Sequence, residues 1–306
     1  MHASSGERFG RLRDVGMSDD AFALHRSLLF TVAYEMLGSA ADAEDVVQET
    51  WLRWVGVDHA EVRDHRAYLV RIVTRQALNR LRTMSRRREE YVGEWLPEPL
   101  STGPDVAADV ELAENVSIAM LTVLETLAPT ERAVFVLRDV FETSYDEIAE
   151  VVGKSPAAVR QIAHRARDHV AARRPRMRVS TTEQQDAVDR FLAAVRHGDM
   201  QGLLDILAPD VVMIADGGGI VTAVRRPISG AERVASFLMG GAQRTVGLEV
   251  QPAWLNGWPA ARIDVAGALD TAVSLSVENG RITRIYATRN PHKLSGLEGV
   301  VVLTRS

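Results

Sequence analysis

Ser144-Tyr-Asp-Glu147-Ile-Ala-Glu-Val-Val152-Gly153-Lys-Ser155-Pro156-Ala-Ala-Val159-Arg160-Gln-Ile-Ala163-His-Arg165-Ala-Arg167 is the stretch on which the fold turns. Ser144 followed three residues later by Glu147 has the spacing of a capping box, and Gly153 suits the turn that closes a helix. Ser155-Pro156 then places an N-cap oxygen before a proline whose φ is already helical. The spacing predicts two short helices across a three- to four-residue turn, a helix-turn-helix. On the second helix Val159, Ile162, Ala163, Ala166 and Val170 share an inward face, while Ala157, Arg160, Gln161, His164, Arg165 and Asp168 point away. Small residues at the helix start allow close approach to a groove, and Arg and Gln can pair with guanine and adenine edges. Ser155, Ala157, Arg160, Gln161, His164, Arg165 and Arg167 are therefore the candidate DNA contacts. A plain hairpin with a wet, charged outer face would explain the charges alone; cap, turn, proline and basic face together favour DNA. His164 and His169 are five apart and do not share a face at ligand spacing, so no metal is expected there; recognition of DNA calls for no cofactor.

The surroundings fit that reading in distribution rather than in total. The 306 residues carry a net charge of −5, yet seven arginines against the single acid Asp168 lie between Val159 and Arg178. A second basic cluster runs from Arg71 to Arg88, and local stripes matter more for phosphate than the sum. Hydrophobic content of 46% and charged content of 25% are those of globular protein. With no cysteine there are no disulfides or thiolate metal sites. No signal peptide and no apolar run of spanning length are evident, so the expectation is a cytoplasmic chain without a membrane partner.

Residues 18–88 read as helix almost throughout. Ser39 to Asp42 has a cap-like spacing, followed by Val46, Val47, Thr50, Trp51 and Trp54 in helical register. A further helix is expected over about Arg66–Met84. There Arg71, Arg75, Asn79, Arg82 and Arg86 recur at steps of three and four and form one narrow stripe, opposite Leu69, Ile72, Val73 and Ala77. A stripe of arginine without interleaved glutamate is poorly explained by intrahelical pairing and suggests a second nucleic-acid surface. Upstream, Glu44-Asp45-Val46-Val47-Gln48-Glu49 is acidic and amphipathic; phosphate would repel it, so Glu44, Asp45, Gln48 and Glu49 fit a basic protein surface.

Pro97, Pro99, Gly103 and Pro104 break the pattern into a linker. Helix resumes near Val116 and ends at Pro175. Beyond Ser180, whose Glu183 completes another capping-box spacing, two helices are expected, and then strand-like runs. These are Val211–Ala215, Val221–Arg225, Val246–Trp254, Ala261–Val265, Ala272–Val277 and Arg281–Thr288, with Asn279-Gly280 as a hairpin turn. The tail is thus expected to be an α+β domain with a curved sheet.

These residues carry a family likeness. Residues 18–88 resemble the promoter-melting region 2 of the extracytoplasmic-function (ECF) sigma factors of bacterial RNA polymerase. Ala43–Thr50 is similar to the segment that docks on the polymerase clamp, and Tyr68–Ile72 through Asn79-Arg80-Leu81-Arg82 to the helix that reads the −10 element. Leu127–Arg138 with Ser144–Ala149 resembles region 4, the reader of the −35 element. Trp95-Leu96-Pro97-Glu98-Pro99, Asp216-Gly217-Gly218-Gly219 and Asn290-Pro291-His292-Lys293-Leu294 are similar to three signatures of a subgroup with a fused SnoaL-like (NTF2-like) domain, which stands in for a separate anti-sigma protein. Ile220 and His292 depart from those signatures, standing where lysine and aspartate are usual. The resemblance implies a multidomain chain: all-α region 2 (18–90), a linker (91–115), an all-α region 4 helix-turn-helix (116–176), and an α+β NTF2/SnoaL-like cone (181–306). It implies −10 contacts by Arg71, Arg75, Asn79, Arg80, Arg82 and Arg86. It also implies core RNA polymerase (β′ clamp and β flap) and promoter DNA as partners, with regulation in cis through Trp95–Pro99, Asp216–Gly219, Asn290, Pro291, Lys293 and Leu294.

Two other functions stay open at this point. An operator-binding regulator with a ligand-sensing tail would need neither the docking helix nor the arginine stripe. A small-molecule cyclase could draw a base from Asp216, Asp264 or Asp270 and an acid from His197 or His292, though no carboxylate–histidine pair has a catalytic spacing. A small ligand held in the cone without turnover is a further expectation.

Overall fold

The structure is a computed structural model; it describes residues 6–88, 91–173 and 179–305, with the backbone alone at 6–20, 60, 85–88 and 108. Arg174, Arg176 and Arg178 of the basic run lie outside the described residues, as does the side chain of Arg86. The chain forms two compact units.

The first unit comprises Met1–Met84, Leu127–Asp168 and Leu303–Ser306. Helices α1 (Gly6–Leu37), α2 (Ala40–Trp54) and α3 (His65–Arg88) supply its first part. The α2 pattern works as its spacing demands: Ser39 accepts the Asp42 N–H, and Ala43, Val46, Val47, Thr50 and Trp54 are buried. Trp51 is only half-buried, its ring 5.0 Å from that of Phe22. On α3, Leu69, Val73 and Ala77 are buried, leaving the arginine stripe outward. The second part holds α6 (Pro129–Phe135), a π-helical turn at Val136–Val140, α7 (Tyr145–Val152) and α8 (Pro156–Arg173), the last running on beyond the unit.

The second unit comprises Ser85–Thr126 and His169–Val302. Its sheet has six strands in the order β2-β1-β6-β5-β4-β3, formed by β1 (Leu207–Asp216), β2 (Ile228–Ser229), β3 (Leu248–Leu255), β4 (Trp258–Val265), β5 (Ala268–Glu278) and β6 (Arg281–Thr288). Strands β3 to β6 form the expected antiparallel meander, with Asn279 and Gly280 at φ 51° and 71° in the tight turn. Strand β1 pairs parallel to β6, so Asp216 lies opposite Thr288 and both strands end side by side. Helices α9 (Thr181–His197), α10 (Met200–Ile206) and α11 (Ala231–Arg244) cover one face, burying Phe191, Leu203 and Val234 against Val211, Val273 and Ile285. Each such large side chain, fully buried, contributes about 1.5–3 kcal/mol.

Three expectations change. Val221–Arg225 is not a strand: the chain turns at Gly217, whose carbonyl accepts from the amides of Ile220 and Val221. Helix α11 was not among the expected elements; burial of Val234, Ala235 and Met239 holds it despite Gly240-Gly241. The segment ahead of Val116 is already helical, with α4 (Val110–Val116) started by Asp109 accepting from Leu112 N–H, and α5 (Ile118–Leu124) started likewise by Ser117.

Candidate nucleic-acid interface and linker clasp

The helix-turn-helix is built as its residues dictate. Both halves of the Ser144/Glu147 capping box are formed, and Gly153 closes α7 at φ 68°, a left-handed conformation that glycine adopts without strain. The Ser155 hydroxyl accepts from Ala158 N–H at the start of α8. Val159, Ile162, Ala163, Ala166 and Val170 are buried, while Ser155, Ala157, Arg160, Gln161, His164, Arg165 and Arg167 are exposed. The rear of that face is already committed within the protein. His164 pairs with Asp168 at 2.8 Å, Arg165 lies 3.7 Å from Glu131, and Arg167 donates to Asp139 at 2.6 Å. Ala157, Arg160 and Gln161 form the front, whose side chains make no hydrogen bond or ion pair among the described residues; the Arg160 guanidinium lies 5.9 Å from the Tyr145 ring centre.

On α3, Arg75, Asn79 and Arg82 are exposed in line. Arg80 stands off that line: it pairs with Asp42 at 2.5 Å and Asp45 at 2.9 Å, tying α3 to α2. Those bonds oppose its use on phosphate and also occupy Asp45. Glu44 pairs with Arg26 at 2.7 Å, and Gln48 and Glu49 remain exposed. Within this unit the stripe meets the helix-turn-helix. Arg75 donates to the Glu150 carbonyl at 3.0 Å, and Arg71 lies 3.6 Å from the Glu150 carboxylate. Behind them Arg132, 1% exposed, donates from Nε and Nη2 to the Glu35 carbonyl at 3.1 and 2.9 Å. Burial pushes the Glu35 carboxyl up to about 8, against the attraction of Arg132; neither of its oxygens has a hydrogen-bond partner among the described residues.

In the second unit the three motifs converge. Asp216, fully buried at the end of β1, spends both carboxylate oxygens on the linker and its neighbours. Oδ1 accepts from Tyr91 Oη at 2.6 Å and Gly218 N–H at 3.0 Å, and Oδ2 from Leu96 N–H at 2.9 Å and Lys293 Nζ at 2.7 Å. Lys293 also donates to the Leu96 carbonyl, so both backbone groups of Leu96 are held. Its ammonium sits 3.9 Å from the Trp95 ring centre, a cation–π distance. Asn290 starts the short α12 (Pro291–Leu294) by accepting from His292 N–H, and its Nδ2 donates to Tyr91 Oη at 2.9 Å. Burial and the Asp216 bond push the Tyr91 phenol upward. Gly218 must be glycine: its φ is +65°, and a Cβ would meet Asn290 Nδ2 at 2.4 Å. Leu96, Pro97, Glu98, Pro99 and Leu100 are buried, with Leu96 packed among Ile118, Ala119 and Tyr286. The two departures, Ile220 and His292, are exposed and contribute backbone amides, to Gly217 and Asn290 respectively.

A second grip was not foreseen. The β3–β4 hairpin carries Asn256-Gly257 at φ 53° and 76°. Asn256 accepts Leu100 N–H at 3.0 Å and donates from Nδ2 to the Val116 carbonyl at 2.8 Å. Gly257 N–H reaches Thr102 Oγ1 and Trp258 Nε1 the Ala113 carbonyl. An Asn-Gly hairpin signal was present in the sequence, but nothing local says that it holds another segment. The residues available to a cyclase are brought to no common site. Asp216 is enclosed as above, Asp264 is bonded by Arg262 and Asp270 by Arg289. His197 and His292 are exposed.

Comparison with known proteins matches this arrangement. The Sigma-70 region 2 model matches residues 21–87 and the Sigma-70, region 4 model residues 117–170, which places the two helical parts in the sigma-factor class. The chain is 38% identical over 295 residues to ECF RNA polymerase sigma factor SigJ of Mycobacterium tuberculosis, covering 92% of this chain and 94% of that protein. It is 33% identical over 281 residues to the probable ECF RNA polymerase sigma factor SigI of the same organism, covering 90% and 94%. The crystal structure of M. tuberculosis extracytoplasmic function sigma factor SigJ superposes with a TM-score of 0.74 at 35% identity, over 92% of this chain and 99% of that one. The chain belongs to the ECF RNA polymerase sigma factors, which direct RNA polymerase to promoters. Among the described residues no helix is long and apolar enough to cross a membrane.

Proposed function

We propose that this sigma factor is regulated in cis, its α+β tail controlling promoter engagement by gripping the linker between the two DNA readers. The observation that carries the reading is the burial of Asp216 and Lys293 around both backbone groups of Leu96. Arg75, Asn79 and Arg82, with Arg71 and Arg86, are assigned to the −10 element. Ala157, Arg160 and Gln161 read the −35 element, with Ser155, His164, Arg165 and Arg167 at its border. Gln48 and Glu49, with Glu44 and Asp45, face core polymerase. Arg80 serves as the strut between α2 and α3.

Distance supports a control step. Elements named for positions −10 and −35 are roughly 25 base pairs apart, or roughly 85 Å at ~3.4 Å per pair. A unit in which Arg71 and Arg75 meet Glu150 cannot span that separation, so the two readers must part before both engage DNA. The linker is the segment that lets them part. The tail needs no turnover for this role, and Asp216, Asp264 and Asp270 are each paired with a basic side chain.

The test is transcription in vitro from one promoter with core polymerase and either the natural chain or Asp216→Asn, with a pull-down on core polymerase alongside. Output is expected to change about threefold or more, in step with the linker's release, while core binding persists. Unchanged output refutes the cis control; absence of core binding refutes the docking assignment.

A further inference from the structure

The tail holds a half-open cavity of ≈ 590 Å³, within the range of small-molecule sites. Its wall is apolar, drawn from Phe191, Met213, Leu238, Ile263, Val273 and Ile285. Apart from Thr245, whose hydroxyl is bonded to the Gly241 carbonyl, the polar lining is gathered in one corner. There Arg289 donates from Nε and Nη2 to the two oxygens of Asp270 at 3.0 and 2.7 Å, and Thr271 Oγ1 donates to the same carboxylate at 2.6 Å. The Arg289 side chain also donates from Nη1 to the Thr222 carbonyl at 2.5 Å. Both charged side chains are about one-third exposed, Asp270 at 29% and Arg289 at 33%. Burial would raise the Asp270 pKa, but the Arg289 and Thr271 bonds outweigh it and hold the carboxyl below its ordinary value.

We propose that this cavity binds a small, neutral, mostly apolar molecule with one hydroxyl or carbonyl group, and that its occupancy is passed to the linker clasp through Arg289. A bidentate Asp–Arg pair has no net charge to offer an ion, and an ionic ligand would lose hydration against apolar walls. It still has an outward carboxylate lone pair and guanidinium N–H for a neutral polar group. The connection to the clasp is short. Arg289 and Asn290 donate their backbone N–H groups to the Asp216 carbonyl at 2.7 and 3.0 Å. Ala215, the residue before Asp216, is itself part of the cavity wall. A ligand that draws the Arg289 side chain toward itself pulls on the strand end that positions Asp216, which holds Tyr91 and Leu96, and Asn290, which holds Tyr91.

The inference rests on the cis-control reading, and the experiment separates the two. Nile red, a neutral apolar dye with a ring carbonyl, is titrated into the full chain and followed by its fluorescence; anilinonaphthalene sulfonate serves as the anionic comparison. Deuterium uptake is measured over residues 91–101 with and without saturating Nile red. The expected result is saturable Nile red binding, about tenfold tighter than the anionic dye, weakened about tenfold by Ala242→Trp, which fills the cavity from α11. Saturation should also change exchange over residues 91–101 about fivefold or more in the natural chain, and Arg289→Met should abolish that change. Leu238→Trp gives a second filling variant, and a melting curve shows that each is folded. Nile red binding insensitive to both folded filling variants, or saturation that leaves residues 91–101 unaltered, overturns the proposal. Asp216→Asn without dye reads the clasp alone: if it leaves exchange unchanged, the cis-control reading fails, and the coupling fails with it, whatever the dye does.

Discussion

Replacing Asp216 by asparagine keeps the shape of the side chain and removes its charge. Lys293, whose side chain is 11% exposed, then keeps its ammonium beside Trp95 without the carboxylate 2.7 Å away. Removing one member of a buried ion pair costs about 3–5 kcal/mol; Lys293 sits on a four-residue helix and can swing outward, so the lower end applies. The amide must also point its NH2 at one of two sets of donors, Tyr91 and Gly218 or Leu96 and Lys293. That mismatch forfeits about one hydrogen bond, roughly 1 kcal/mol. The clasp is therefore weakened by about 3–4 kcal/mol, which makes its opening some hundreds of times more frequent. Hydrogen exchange resolved at the Leu96 amide is expected to accelerate about a hundredfold or more, while amides in β4 and β5 keep their protection. Acceleration of less than about threefold, with the cone intact, would refute the argument that Asp216 holds the linker.

Other consequences are smaller or more local. Glu35 has a folded pKa raised to about 8 from an ordinary 4.5, so its contribution to stability is full below pH 4.5 and is lost as the pH rises to about 8. Urea unfolding at pH 6 and 8 should show a loss of up to ~1.4 kcal/mol per pH unit from this group, and Glu35→Gln should flatten that slope; an unaltered slope contradicts the burial argument. Ser144→Ala removes the capping box of α7 and should cost about 1 kcal/mol in thermal or denaturant unfolding. Asn256→Ala leaves Leu100 N–H and the Val116 carbonyl without partners and should cost about 2–3 kcal/mol, read as faster proteolysis between residues 100 and 116. Arg160→Ala should weaken −35 binding by about 1–3 kcal/mol and relax sequence preference at one position, measured by competition between promoter variants; a uniform loss across sequences would instead make Arg160 a phosphate contact.

The helix-turn-helix could be read from sequence because every device in it is local. Ser144 meets Glu147, Gly153 turns the chain and Ser155 caps α8, all within a few residues. Alternation likewise revealed β3 to β6, and Asn279-Gly280 their last turn. Helix α11 escaped because Gly240-Gly241 obscures a pattern that only burial sustains, and Val221–Arg225 looked like a strand because apolar alternation says nothing about pairing partners. The clasp is the opposite case from the helix-turn-helix. Its motifs stood out by resemblance, but Tyr91 is 125 residues from Asp216 and Asn256 is 140 from Val116. Spacing along the chain carries no trace of such contacts. Arg80 shows the same limit at shorter range, since a basic residue on a basic helix looks free until Asp42 and Asp45 are seen beside it.

The distance from Leu96 to Lys293, 197 residues, also sets a clock. At roughly 5–20 residues per second, a ribosome takes roughly 10–40 s to pass from the linker to the lysine that holds it. For about the last 120 of those residues, roughly 6–24 s at that rate, the helices of both DNA readers have been made and the lysine of the clasp has not. If the clasp controls promoter engagement as proposed, each newly made molecule passes through an unrestrained youth, and a pause or cut in translation before Asn290 would prolong it.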